Sequence, residues 1–195
     1  GQGDAALAWE GLRADWEGKG LELEYWLGVD HSKFPANVFV VRQSDVEDPE
    51  RAKFLEAYLR GWAMGLEFGH HNPRAATEIV FKQFPIVKEN LGPELGTESM
   101  MQLANVFRGD MDNRGGWGWH DMDAWKLFFS TIEEIGQITK PIDINTAITN
   151  DFIAPANDFD KIKVKDDAEG YALSDEMAAV DVEAIKTRFF ANAVR

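Results

Sequence analysis

Three runs of strand-like composition all fall within the first 42 residues, and almost everything after them carries helical spacing. Ala5-Ala6-Leu7-Ala8 is a short apolar run of the buried-strand type. Leu21-Glu22-Leu23-Glu24-Tyr25 alternates apolar and polar before Gly28 closes it. Asn37-Val38-Phe39-Val40-Val41-Arg42 is β-branched and aromatic, as a buried strand would be. Between the first two runs, residues 11–20 read as a short helix, with Leu12 and Trp16 one turn apart and Gly18 and Gly20 ending it. A stable sheet needs more strands than this around an apolar face. The pattern therefore predicts part of a larger α/β unit. The opening at Gly1, with no basic stretch leading into an apolar one, reads like the middle of a domain entering a strand. Either a longer leader was removed or the chain is a fragment.

The helical remainder is punctuated by start signals. Asp48-Pro49 places an N-capping carboxylate before a proline suited to the first helical position, and Phe54, Leu55, Tyr58, Leu59, Trp62 and Leu66 then fall on one face. Asn72-Pro73 repeats the signal ahead of Ile79, Val80 and Phe84. A third helix is expected near 97–108. Residues 109–119 are glycine-rich and irregular. Asp121 then caps a helix carrying Trp125, Phe128, Phe129, Ile132 and Ile135, which Gly136 ends. A short helical turn, a loop over 149–157 and a charged amphipathic segment over 158–171 follow. From Ser174 onward, Val182, Ile185 and Phe189 share helical spacing, as in a docking helix.

Charge and cysteine content narrow the chemistry. Thirty-four acids against 20 bases give a formal net charge of −14, which repels phosphate backbones and argues against nucleic-acid or anionic-membrane binding. Cysteine is absent, removing disulfides, thiolate nucleophiles, zinc–thiolate sites and iron–sulfur clusters. Hydrophobic residues at 45% are enough for a core and exclude bulk disorder. Nucleotide-binding, metalloprotease and serine-hydrolase motifs are missing. His70 and His71 are adjacent, so on a helix they point about 100° apart and share a metal poorly. With His31, they read as loop residues. Asp110, Asp112, Gly115 and Asp121 stand at places 1, 3, 6 and 12 of a calcium loop, but Arg114 fills place 5, where an oxygen ligand is needed. Asp121 is also claimed by its helix.

Of the seven tryptophans, Trp16, Trp62 and Trp125 sit at core spacing. Trp117 and Trp119 lie in the glycine-rich loop, where packing and a pocket lip are both open readings. Trp9, with Glu10, stands where the first strand gives way to the first helix. In open α/β sheets ligands bind beyond the carboxyl ends of strands. An indole face beside a carboxylate suits a cationic or hydrogen-bond-donating ring. The alternative is that Trp9 packs under the helix and Glu10 complements its dipole.

These landmarks taken in order resemble a known family. Gly3-Asp4-Ala5-Ala6-Leu7-Ala8-Trp9-Glu10 is similar to a strand of ABC-importer substrate-binding proteins of the nitrate/sulfonate/taurine and thiamine-pyrimidine-precursor group. Asn37–Arg42 looks like the return strand between their lobes. Phe54-Leu-Glu-Ala57-Tyr58, Gly61-Trp62 and Asn72-Pro73-Arg-Ala75-Ala76 resemble a later stretch, as do residues 118–125, 136–139 and 149–153. The resemblance runs from about 3 to 171. It implies the C-terminal part of a helix-rich, two-lobed α/β fold of the type 2 periplasmic-binding kind. Residues 1–42 would end the second lobe and supply the return strand, 43–173 would be the helical part of the first lobe, and 174–195 would lie outside it. It further implies a small-molecule solute held between lobes, an ABC permease as membrane partner, and a periplasmic or lipid-anchored location. Trp9 and Glu10 would face the cleft, with Asn37 a further ligand contact. No catalysis, metal or cofactor is expected. Self-association through the tail or the incomplete sheet is a further expectation. The alternatives are a pyrimidine-precursor synthase on the same fold, whose chemistry uses histidine and a cysteine-rich segment, and a calcium-stabilised structural module.

Overall fold

The computed structural model describes residues 3–35, 37–191 and 193–194, and all of their side chains but those of 10, 29, 105–107 and 189 onward. Among the described residues, 64% are helical. The helices are α1 (Glu10–Gly18), α2 (Gly28–His31), α3 (Gln43–Glu47), α4 (Pro49–His71), α5 (Pro73–Gln83), α6 (Pro85–Arg108), α7 (Met122–Glu134), α8 (Ile144–Ala147), α9 (Ile153–Ala156), α10 (Lys161–Glu169), α11 (Asp175–Ala178) and α12 (Val182–Ala191), with a 3-10 turn at Met111–Asn113. Among the described residues, strand structure is confined to β1 (Tyr25–Trp26) and β2 (Ala193–Val194), which pair in parallel over two residues each.

This overturns the expected two-lobed α/β periplasmic-binding architecture. Residues 5–8 and 37–42 take no strand structure, and of 21–27 only Tyr25 and Trp26 do. Strand-like composition marks a segment that suits a pleated, half-buried surface; it does not supply the neighbour. Here the side chains stay in solvent, with Val40 88% exposed.

The start signals hold. The Asp48 carboxylate accepts from the N–H groups of Glu50 and Arg51. Asn72 accepts from Ala75 N–H ahead of Pro73, and Asp121 accepts from Asp123 and Ala124. The stops hold as well. Gly20 and Gly136 take positive φ, 78° and 76°. After α1, Leu21 N–H bonds Trp16 C=O and Gly20 N–H bonds Glu17 C=O; after α7, Gln137 and Gly136 bond Ile132 and Glu133 in the same way. The third helix begins earlier than its periodicity predicts, because Pro85–Arg108 holds two helical lengths meeting at Gly92 (φ 67°) and Pro93. His70 and His71 lie in the last turn of α4, not in a loop, and His71 Nε2 is 3.2 Å from Glu67.

The residues form two compact units, interleaved in sequence. One comprises the residues up to Trp26, Met64–Gly109 and those from Asp160 onward. In it, α1, α5 and α12 all pack on α6. Gly18 and Gly96 permit close approach, since a Cβ there would come within 2.3 Å of Leu95 and 2.5 Å of Phe81. The tail belongs to this core. Met177, Val180 and Ile185 are buried, Arg74 donates to Ala178 C=O, and Glu78 accepts from Ser174 N–H. Burying side chains as large as Met177 and Ile185 contributes about 1.5–3 kcal/mol each. The other unit comprises Leu27–Ala63 and Asp110–Phe159, and is held by aromatic contacts and asparagine bridges.

Candidate functional site: an aromatic assembly and an exposed indole

In the unit of residues 27–63 and 110–159, α4 supplies Tyr58 and Trp62 one turn apart, so both rings leave the helix on one face. Phe39 meets both edge-on, at 5.7 Å from Tyr58 and 5.3 Å from Trp62. Gly118, at φ 87°, lies in van der Waals reach of Trp62 and Ile153. A Cβ at Gly118 would stand 3.8 Å from the Trp62 ring, so the glycine-rich loop runs beside that indole. Within the loop Trp117 is 2% exposed, while Trp119 lies across Gly115 and keeps a partly open face. Packing thus accounts for Trp117, and Trp119 retains surface.

Two asparagines fix this loop. Asn157 Oδ1 accepts from Trp117 N–H at 2.8 Å, and its Nδ2 donates to Trp117 C=O at 3.1 Å and Ile153 C=O at 2.8 Å. Asn150 does the same for His120, accepting from its N–H at 2.8 Å and donating to its C=O at 2.9 Å. Arg60 donates through Nε and Nη2 to Pro155 C=O. His120 Nδ1 accepts from Trp125 Nε1 at 3.2 Å, and burial lowers the His120 pKa. A neutral imidazole that accepts at Nδ1 carries its proton on Nε2 and presents a donor there. Trp125 continues into stacked Phe129 and edge-on Phe128. These residues supply apolar ring faces, ring edges and a neutral donor.

The expected ligand contacts are placed as follows. Trp9 is the N-cap residue of α1, without a side-chain cap, and its indole lies across Gly11 with 66% exposure. A Cβ at Gly11 would come 1.8 Å from the Trp9 ring, so the missing side chain is what lets the ring lie there. Trp9 is therefore not packed under its helix. Glu10 opens α1, and its side chain lies outside the described residues. Asn37 is exposed in a segment without regular secondary structure, two residues before Phe39, in the other unit from Trp9. Phe39, Tyr58, Asn150 and Asn157 were not singled out by sequence as site residues. The available signal was the pairing of a Gly–Trp loop with an asparagine-bearing loop.

The calcium reading finds its carboxylates engaged. Asp110 accepts from Asp112 N–H and Asn113 Nδ2, bonds that hold its pKa below the usual carboxylate range, and Asp121 caps α7. Among the described residues no three His, Asp or Glu side chains gather as metal ligands.

No protein-family model matches the chain, and no solved structure matches it. Among curated proteins, the likeness is to a small-ligand-binding protein. That relative is the riboflavin-binding protein RibY of Chloroflexus aurantiacus, 26% identical over 139 residues, or 70% of this chain and 38% of the relative. The chain thus spans well under half of the relative's length.

Proposed function

We propose that this chain is part of a solute-binding protein that captures a small heteroaromatic molecule of the riboflavin type and delivers it to an ABC permease. The observation that carries this reading is the likeness to a riboflavin-binding protein over 139 residues. The ordered landmarks from Gly3 to Ile153 support the importer role, and the aromatic side chains support the class of ligand. The reading does not depend on a two-lobed sheet.

The role is binding without catalysis. The indoles, phenyl rings and amides hold a ligand and do not attack it, and Glu10 and His120 serve as hydrogen-bonding groups. The resemblance names Trp9, Glu10 and Asn37 as ligand contacts, and within the unit that holds Asn37 the side chains of Trp119 and His120 are further candidates. An importer component works outside the cytoplasmic membrane, in the periplasm or on a lipid anchor. Among the described residues, no helix is long and apolar enough to cross a membrane.

Riboflavin fluorescence gives the test. An indole stacked on the isoalloxazine ring quenches it, so titrating the protein into riboflavin should give a saturable loss of emission, with taurine and thiamine as competitors. Saturation at a fixed stoichiometry that taurine and thiamine do not displace supports the reading. No saturable change with riboflavin, and no thermal shift with any of the three solutes, overturns it.

A further inference from the structure

His120 lies between the glycine-rich loop and α7, and it is held at both ends. Its N–H donates to Asn150 Oδ1 at 2.8 Å, and its C=O accepts from Asn150 Nδ2 at 2.9 Å. Its ring Nδ1 accepts from Trp125 Nε1 at 3.2 Å. Trp125 is buried, stacked on Phe129 with ring centroids 5.6 Å apart and edge-on to Phe128 at 5.8 Å. Asn150 therefore fixes the backbone of His120, and a packed indole fixes its ring.

An indole N–H donates and never accepts, so Nδ1 is the acceptor of the ring and the proton of the neutral imidazole sits on Nε2. Burial favours that neutral form. His120 is half-buried, and among the described residues its Nε2 is not one of the buried nitrogens left without a partner, so this N–H reaches the surface of the unit. The neighbouring Trp119 keeps 37% of its surface open. The two residues differ in what they can discriminate. An indole face stacks on almost any flat ring, whereas a donor held in one place accepts only a ligand with an acceptor opposite it.

We infer that His120 selects the solute: its Nε2–H donates to an acceptor in the plane of the bound ring, a carbonyl oxygen or an unprotonated ring nitrogen, and Trp125 positions it to do so. This deepens the ligand reading above and rests on it. The Nε2–H can donate and cannot accept. A ring edge that presents a carbonyl completes the bond. An edge that presents an N–H or amino group sets donor against donor and leaves both without a partner, which disfavours it. Selection therefore runs toward uncharged, oxo-substituted heteroaromatic rings, and the pyrimidinedione edge of riboflavin, with its two carbonyl oxygens, is such a partner. Trp125 acts through His120 as a positioning residue, since its only polar atom is spent on Nδ1.

The test titrates riboflavin, and lumichrome, which keeps the ring carbonyls without the ribityl chain, into the wild type and the variants H120F, H120Q and W125F. At about pH 7.5, above the ordinary histidine value, nitrogen NMR of the wild-type imidazole should show Nε2 protonated and Nδ1 not, and the Nε2 resonance should move as riboflavin saturates the protein. H120F keeps a ring without a donor and should weaken both ligands about tenfold. H120Q returns an N–H close to the place of Nε2 and should restore most of that loss. W125F should lose part of the same affinity and shift the Nδ1 resonance. A wild type that binds neither ligand overturns this inference together with the ligand reading. Wild-type binding that H120F leaves unchanged overturns this inference alone, and a loss confined to riboflavin does the same, because it puts the donor on the chain. An Nε2 resonance unmoved at saturation overturns it whether or not the variants fold.

Discussion

The side-chain amide of Asn157 pairs with the backbone of Trp117 in both directions, accepting from its N–H and donating to its C=O across a separation of 40 residues. At Trp117 the geometry of the loop beside the aromatic rings rests on this side chain, as it rests on Asn150 at His120. Asn157→Ala removes three hydrogen bonds and should cost about 1–3 kcal/mol. Urea unfolding followed by tryptophan emission measures this. A midpoint within error of the wild type would show that the loop holds its form without the bridge.

Gly11→Ala separates stability from the exposed indole. Alanine in place of glycine within a helix adds up to about 1 kcal/mol of helix stability. Its Cβ would also occupy the space where the Trp9 ring lies. The variant should melt at or slightly above the wild-type temperature while losing riboflavin quenching, if Trp9 contacts the ligand. Quenching that stays intact removes Trp9 from the site.

Acidification should loosen the unit that contains His120. Burial keeps its pKa below the ordinary value, so the folded state binds protons less readily than the unfolded chain. Stability is then full above the unfolded value and declines as pH falls through it toward the folded one. Protonation also turns Nδ1 from an acceptor into a donor and breaks the bond from Trp125. Tryptophan emission should change over the same interval. The replacement His120→Gln should flatten both curves; curves that keep their wild-type shape would place the titration elsewhere.

Asp121→Ala should cost about 1 kcal/mol, the usual worth of an N-cap that serves two backbone N–H groups. Calcium gives the companion measurement. With Asp110 and Asp121 already engaged, millimolar calcium and chelator should give the same melting temperature. A calcium-dependent rise would revive the metal-loop reading, because specific binding to the native state raises its stability.

What was legible in the sequence were the features decided by a few neighbouring residues. The capping side chains at 48, 72 and 121 and the glycines at 20 and 136 act within one turn, so their effect can be read in place. Strand pairing is not local. Residues 21–25 alternate perfectly and 38–41 are ideal in composition, yet only Tyr25 and Trp26 find a partner, in a segment more than 160 residues away. The site divides along the same line. Trp9 and the Gly–Trp loop stood out by residue type, while Phe39, Asn150 and Asn157 acquire roles only through contacts made across the chain.

The break at Gly92 makes α6 two rods rather than one. Pro93 has no N–H to offer the preceding turn, and Gly92 sits where helical hydrogen bonds cannot run through. Residues 85–91 can therefore fray or tilt without levering residues 94–102, where Glu94 and Glu98 both accept from Arg188 of α12 and Glu98 also accepts from Gln102. The discontinuity insulates the part of the helix that carries the charge cluster from the part that does not.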